Sequence, residues 1–70
     1  MGLLILEAIG DEGERLALEA GERTEIPVGW DGDCATFDSD DLPDPELEAI
    51  IFDALGTLSE GWREHLKVAD

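Results

Sequence analysis

The spacing of apolar residues along this chain changes from a period of two to a period near 3.6, which predicts strands followed by helices. Residues 3–9 form a short, largely apolar run that ends in a glycine-rich turn, as a buried strand does. Residues 15–20 are ambiguous, because every second residue is apolar while the segment consists of good helix formers. The alternation favours a strand, since Gly13 would otherwise lie inside a short helix.

Two further segments, residues 24–30 and 34–37, alternate as half-buried strands do. Pro27 cannot donate a ladder hydrogen bond, so the strand over 24–30 is expected at an edge of the sheet. Asp31-Gly32 lies between the two segments and is a frequent pair in two-residue hairpin turns. The sequence therefore predicts an antiparallel hairpin whose first strand is an edge strand.

The C-terminal half of the chain has helical periodicity. Asp44 is a candidate N-cap and Pro45 suits the first helical position, so a helix is expected over residues 45–55. One face of this helix carries the apolar residues Leu47, Ile50, Ile51, Ala54, Leu55 and Leu58. A capping-box pattern that starts at Thr57 predicts a second helix over residues 58–68.

These elements predict an α+β fold, a small antiparallel strand meander packed against one or two C-terminal helices. The strands are expected over about 3–9, 15–20, 24–30 and 34–37, and the helices over about 45–55 and 58–68. A chain of 70 residues is long enough for one domain, and we expect a single domain over residues 1–70. The hydrophobic fraction of 43% is typical of a folding sequence rather than a disordered one.

Charge is the most unusual property of the chain. There are 19 acidic residues against four lysines and arginines, which makes the formal net charge −15. Eleven of the acids and no base lie between Arg23 and Arg63, and we call residues 24–62 the base-free tract. A field of this sign repels nucleic acids and anionic membranes, so neither is expected as a direct partner. A macromolecular partner should present a surface rich in lysine and arginine, such as one that normally holds nucleic acid.

Other functional chemistry is sparse. The single cysteine, Cys34, allows no internal disulfide, and residues 1–9 lack the pattern of a signal peptide, so a cytoplasmic protein of a microbe or an infected cell is expected. Cys34 and His65 offer a thiol and an imidazole, but the carboxylates beside the cysteine are not the electropositive surroundings in which reactive thiols occur. An EF-hand loop aligned at Asp31 leaves several ligand positions unfilled. We expect no enzyme activity, no cofactor and no metal site.

The candidate partner-binding residues lie in the middle of the base-free tract. On an extended strand, carboxylates at positions i and i+2 lie about 6.6 to 6.8 Å apart on one face, similar to successive phosphates of a nucleic-acid strand. Asp31 with Asp33, and Asp38 with Asp40, have this separation in sequence. The residues expected to bind the partner are Asp31, Asp33, Asp38, Asp40, Asp41, Asp44, Glu46 and Glu48.

Three aromatic residues, Trp30, Phe52 and Trp62, are large for the core of so small a chain. One interpretation is that all three complete the core. The other is that they form an apolar contact patch, because aromatic residues are enriched at interfaces. The second interpretation allows a homodimer or a contact with another protein.

In size and charge density the chain resembles the small phage-encoded DNA mimics, among them many anti-CRISPR proteins and inhibitors of restriction enzymes. The resemblance implies a non-enzymatic inhibitor that occupies the basic, nucleic-acid-binding surface of its target. Salt-adapted (halophilic) domains also carry many acids and few lysines, and there the charge serves solvation alone. An acidic adaptor or antitoxin-like binder is a third alternative. The concentration of acids in the base-free tract favours a binding surface over even solvation.

Overall fold

The computed structural model describes residues 1–69, so Asp70, the last residue of the predicted domain, lies outside the described residues. In chain order the elements are β1 (Gly2–Ala8), α1 (Gly10–Thr24), β2 (Val28–Asp31), β3 (Cys34–Ser39), α2 (Asp44–Leu58), a 3-10 turn (Trp62–Glu64) and β4 (Leu66–Val68). The strands form one antiparallel sheet in the order β2-β3-β1-β4. This is the ferredoxin-like, or split βαβ, connectivity, in which each helix links two strands that are not neighbours.

The α+β prediction is confirmed, but the helices and strands alternate in a different order from the one expected. α1 comes before β2, so the helices are not both C-terminal. The first and third strands are central neighbours, so the sheet is not a meander of consecutive strands. One face of the sheet packs against the helices, and there Leu4 and Leu6 of β1 lie opposite Phe37 and Ala35 of β3. These four side chains form the middle of the core.

Residues 15–20 are helical, so the strand predicted there is wrong. α1 packs on the sheet through small residues at helical spacing, and its buried residues are Gly13, Leu16, Ala17, Ala20 and Gly21. A Cβ atom on Gly13 or Gly21 would come closer than 3.0 Å to a neighbouring atom, so the helix could not approach as closely with larger residues. Glycine and alanine add little to a hydrophobic pattern. Leu18 is exposed, but together with Leu16 and Ala20 it makes every second residue apolar, as in a strand.

The predicted hairpin is present, and β2 is an edge strand as Pro27 indicated. The two turn residues are Gly32 and Asp33 rather than the predicted pair Asp31-Gly32, because Asp31 still pairs with Cys34. Gly32 has the positive φ of 63° that the first position of a type II′ turn requires. β2 starts later than predicted, because Thr24 ends α1 and Glu25 follows in the left-handed conformation with φ 59°. The expected strand over 24–30 is therefore shortened at its beginning.

The helix predicted over 45–55 is confirmed and is longer, whereas the second helix, over 58–68, is wrong. α2 buries Leu47, Ile51, Ala54 and Leu55, but Ile50 is 40% exposed. The Thr57 hydroxyl donates to the Asp53 carbonyl oxygen (3.0 Å) inside α2 and so does not cap a new helix. After one 3-10 turn, residues 66–68 pair with β1, a long-range contact that no local pattern reveals.

Candidate acidic binding surface

The predicted surface residues are divided between the two ends of the sheet. At one end, Asp31 is the last residue of β2 and Asp33 lies in the hairpin turn. At the other end, Asp38 is the fifth residue of β3, and Asp40 and Asp41 follow in the loop. Asp31 lies opposite the first residue of β3, so the two groups are about 14 Å apart along the strands.

Neither of the two pairs for which a phosphate-like spacing was expected lies within a single strand. β2 ends at Asp31, so Asp33 does not extend the same strand. β3 ends at Ser39, so Asp40 likewise lies beyond the strand that carries Asp38. The extended geometry on which the expected spacing depended is therefore not shared by both members of either pair, and what these residues have in common is their negative charge.

Four carboxylates surround an open recess at the second end of the sheet, which we call the acidic recess. Its volume is about 350 Å³, and it is lined by Glu25, Ile26, Pro27, Asp38, Ser39, Asp40 and Asp41. Glu25 was missing from the predicted surface. The hairpin could have identified it, because Val28 pairs with Phe37 and the same register continued by three residues places Glu25 opposite Asp40.

Hydrogen bonds from the backbone order the loop that carries two of these acids. The Ser39 side-chain oxygen accepts the N–H groups of Asp41 (3.3 Å) and Leu42 (3.2 Å). Such a turn is stabilised by hydrogen bonds within the loop itself. The carboxylates of Asp40 and Asp41 are therefore presented from an ordered backbone.

Asp44 has a structural role that differs from the predicted helix cap. The N-cap position of α2 is Pro43, and Asp44 Oδ1 accepts the backbone N–H of Leu3 at 2.9 Å. This N–H points to the side of β1 on which β4 lies. β4 is short and pairs only with residues 6–8 of β1, so it does not extend to Leu3. The Asp44 carboxylate thus accepts a hydrogen bond from a backbone N–H group of β1 that no strand pairs with. Glu46 and Glu48 are exposed near the start of α2, where the helix dipole favours anions.

The bases of the chain do not neutralise these acids. Arg15 forms ion pairs along α1 with Glu12 (2.7 Å) and Glu19 (2.6 Å), and residues 1–69 contain no other ion pair. The hydrogen bonds from Arg15 lower the pKa of Glu12, and those to Glu12 and Glu19 raise the pKa of the Arg15 guanidinium. Within the described residues, every carboxylate of the base-free tract lacks a cationic partner.

The three aromatic side chains do not form one contact patch. Phe52 and Trp62 pack with their ring centroids 5.2 Å apart, and the Arg63 guanidinium lies 4.4 Å from the Trp62 ring centroid. Trp62 is buried and Phe52 is half-buried, so both contribute to the core. Trp30 is 40% exposed on β2, at the edge of the sheet opposite β4. Of the three, Trp30 has the most surface available to a partner.

Comparison of the chain with protein-family models, with curated proteins and with solved structures gives no match. Among residues 1–69, no three His, Cys, Asp or Glu side chains are grouped so that they could hold a metal ion. No helix in the same part of the chain has the length and apolar character needed to cross a membrane. Fold and surface define the class: an acidic α+β domain of ferredoxin-like connectivity with an unneutralised carboxylate surface.

Proposed function

We propose that this chain is a non-enzymatic acidic protein that binds the lysine- and arginine-rich, nucleic-acid-binding surface of another protein and blocks it, as anti-CRISPR and anti-restriction inhibitors do. The supporting observation is that no carboxylate of the base-free tract forms an ion pair among residues 1–69. A basic groove cannot distinguish carboxylate from phosphate by charge alone. Long-range attraction between the two surfaces would also accelerate their association.

The acidic recess is the part of the surface best suited to this role. Four carboxylates converge there without a base among the lining residues, so each raises the electrostatic free energy of the others. Lysine or arginine side chains of a partner would relieve this repulsion when they enter the recess. Because the Ser39 hydrogen bonds already order the loop, little conformational entropy is lost on binding. Glu46 and Glu48 extend the negative surface onto α2.

The test compares two charge reversals of equal size on different surfaces. One variant replaces Asp38, Asp40 and Asp41 with Lys, and the control replaces the exposed residues Asp11, Glu14 and Glu64 with Lys. Both proteins have the same net charge. Wild type and both variants are immobilised and exposed to a host lysate at low salt, and the retained lysate proteins are eluted with rising salt. The eluted proteins are then tested for binding to labelled duplex DNA, with and without added wild-type chain.

We expect the acidic-recess variant to lose most retained DNA-binding protein and to show a flatter salt dependence, while the control retains it. We also expect the wild-type chain to displace the DNA. Equal retention by wild type and the acidic-recess variant would contradict the proposal, as would DNA binding that the wild-type chain leaves unchanged. Equal losses in both variants would show that net charge, rather than this surface, determines binding.

The second candidate function is a salt-adapted domain of unknown role. The observation that favours it is the presence of exposed acids outside the base-free tract, including Glu7 on β1 and Asp11, Glu14 and Glu22 on α1. Salt adaptation predicts that folding requires molar salt, which screens the self-repulsion of the acids. Tryptophan fluorescence during thermal unfolding measures this requirement. A cooperative transition well above room temperature in dilute buffer would contradict the salt-adapted interpretation.

A further inference from the structure

The outer edge of β2 presents backbone hydrogen-bonding groups without a strand partner. β2 is the first strand in the order β2-β3-β1-β4, and no other segment of residues 1–69 pairs with its outer side. The Asp33 carbonyl oxygen accepts the Ala8 N–H at 2.8 Å. The backbone groups of odd-numbered residues of β3 therefore bond to β1, and those of even-numbered residues of β3 bond to β2. Cys34 and Thr36 therefore bond to Asp31 and Gly29, their partners on β2. The intervening residues of β2, Val28 and Trp30, direct their N–H and C=O groups outward.

An apolar groove lies beside this edge, between β2 and α1. Its volume is about 330 Å³, and Leu18, Gly21, Ile26 and Val28 line it. Leu18 is 47% exposed, and Trp30 is 40% exposed on the same side of β2 as Val28. Side chains at i and i+2 of a strand project to one face. Alternate apolar side chains of an added strand would thus be covered by Leu18 and Trp30.

The charges around β2 determine which kind of strand can be added. Asp31 is the acidic residue of β2 whose carboxylate can lie opposite a side chain of an added strand, and Glu22, Glu25 and Asp33 add to the negative charge around this edge. Like charges opposite each other on paired strands destabilise the pair, and opposite charges stabilise it. A second copy of this chain would bring the same carboxylates and a further net charge of −15 to the edge. A basic strand is complementary in charge to this edge, whereas a second copy of the chain is not.

We propose that β2 accepts, as a fifth strand of the sheet, an extended segment of a partner protein in which apolar residues alternate with lysine or arginine. Backbone groups of the segment bond to the outward N–H and C=O groups of Val28 and Trp30. Its apolar residues lie opposite these two side chains and enter the groove. Its basic residues lie on the other face of the sheet, where one of them is opposite Asp31. This edge adjoins the acidic recess at Glu25, but strand addition requires neither Asp40 nor a nucleic-acid-binding partner, so it goes beyond the proposed function.

The probe is a short synthetic peptide of strictly alternating valine and lysine. The control peptide has the same composition with all valines in one block, so that no register places them all on one face. Each is titrated into the isotope-labelled full chain at low salt, and amide chemical shifts and hydrogen exchange are followed by NMR. We expect the alternating peptide to shift the amides of Leu18, Val28 and Trp30 most strongly. We also expect it to slow the exchange of the outward Val28 and Trp30 N–H groups.

Two proline variants test the backbone contact. Trp30→Pro removes an outward N–H group, and edge strands tolerate proline where the N–H faces solvent. Val68→Pro is the matched change on β4, because Ala69 donates to the Ile5 carbonyl oxygen and Val68 therefore faces away from β1. We expect Trp30→Pro to weaken peptide binding roughly tenfold and Val68→Pro to leave it unchanged. Trp30→Ala separates the loss of the indole from the loss of the N–H, and circular dichroism verifies that each variant is folded.

Peptide-induced shifts centred on β4 or on Leu3 and Ile5 of the other sheet face would overturn the proposal. So would equal effects of the two proline variants, equal binding of the two peptides, or dimerisation of the free chain through β2. If Trp30→Pro does not fold, the shift and exchange map of the wild-type chain decides alone. If the peptide adds to β2 but the wild-type chain does not displace DNA, only the proposed function is refuted. If the chain displaces DNA but the peptide does not add to β2, only strand addition is refuted.

Discussion

Replacement of Gly13 by alanine places two physical effects in direct opposition. Gly13 lies inside α1, where alanine is favoured over glycine by about 0.5–1 kcal/mol because it loses less backbone entropy. A Cβ atom at this position would, however, lie closer than 3.0 Å to the His65 carbonyl oxygen and close to Ala8 of β1. That oxygen is part of the backbone and accepts the Ile9 N–H at 2.8 Å, so it cannot rotate away.

The steric effect should exceed the gain in helix propensity. To reach ordinary van der Waals separation, α1 or the His65 backbone must move by roughly 1 Å, and overpacking of this kind costs about 1–3 kcal/mol. The movement also lengthens the Ile9–His65 hydrogen bond, which is worth about 0.5–1.5 kcal/mol. The weakened hydrogen bond and the gain in helix propensity are of similar size and opposite sign, so we expect Gly13→Ala to lower the free energy of unfolding by about 1–3 kcal/mol. For a domain of this size, Tm would fall by about 4–24 °C.

Gly56→Ala is the matched control for this experiment. Gly56 is exposed on α2, and the nearest atom to its added Cβ is Trp62 Nε1 at 4.0 Å, so only the gain in helix propensity remains. We expect this variant to be more stable than wild type by up to about 1 kcal/mol. Urea unfolding followed by circular dichroism measures both changes. A Gly13→Ala protein as stable as Gly56→Ala would refute the close packing of α1 on the sheet.

Two other contacts lead to further predictions. Asp44→Ala should lower the free energy of unfolding by about 1 kcal/mol, because the Leu3 N–H loses its acceptor. Asp44→Asn retains a side-chain oxygen and should lose less stability. Equal urea midpoints for wild type and Asp44→Ala would contradict this role. The Glu12 carboxyl should titrate below its ordinary pKa of 4.5, since hydrogen bonds from Arg15 lower its pKa in the folded protein. Its contribution to stability is therefore complete above the unfolded-state pKa and is lost as the pH falls through the lower folded-state value. NMR titration should show this pKa return towards 4.5 in Arg15→Gln, and an unchanged pKa would exclude Arg15 as the cause.

Elements whose residues signal their own conformation were predicted from the sequence. The apolar run of β1, the glycine turn between β2 and β3, and the periodic apolar face of α2 each depend on local preferences. α1 was missed because its packing face is defined by the absence of side chains at Gly13 and Gly21. That face becomes recognisable only when the sheet beneath it is known.

The acidic site was predicted in composition but not in arrangement. Sequence position identified the carboxylates of the base-free tract, and the structure places Asp38, Asp40 and Asp41 together around one recess. It could not show that Asp44 bonds to Leu3 or that Glu25 joins the recess, because both depend on contacts between distant segments. β4 was missed for the same reason, since Leu66–Val68 becomes a strand only beside β1.

The central position of β1 affects how the chain folds during its synthesis. Glu7 pairs with Lys67, 60 positions later, so the β4 side of β1 remains open until nearly all of the described chain has left the ribosome. During that interval the backbone N–H and C=O groups of Ile5 and Glu7 that face β4 have no strand partner, and neighbouring nascent chains could aggregate by pairing with this edge. The acids of α1, β2, β3 and α2 emerge before β4, and the resulting mutual repulsion would keep incomplete chains apart. The same charge that we assign to partner binding would thus also protect the protein before its sheet is complete.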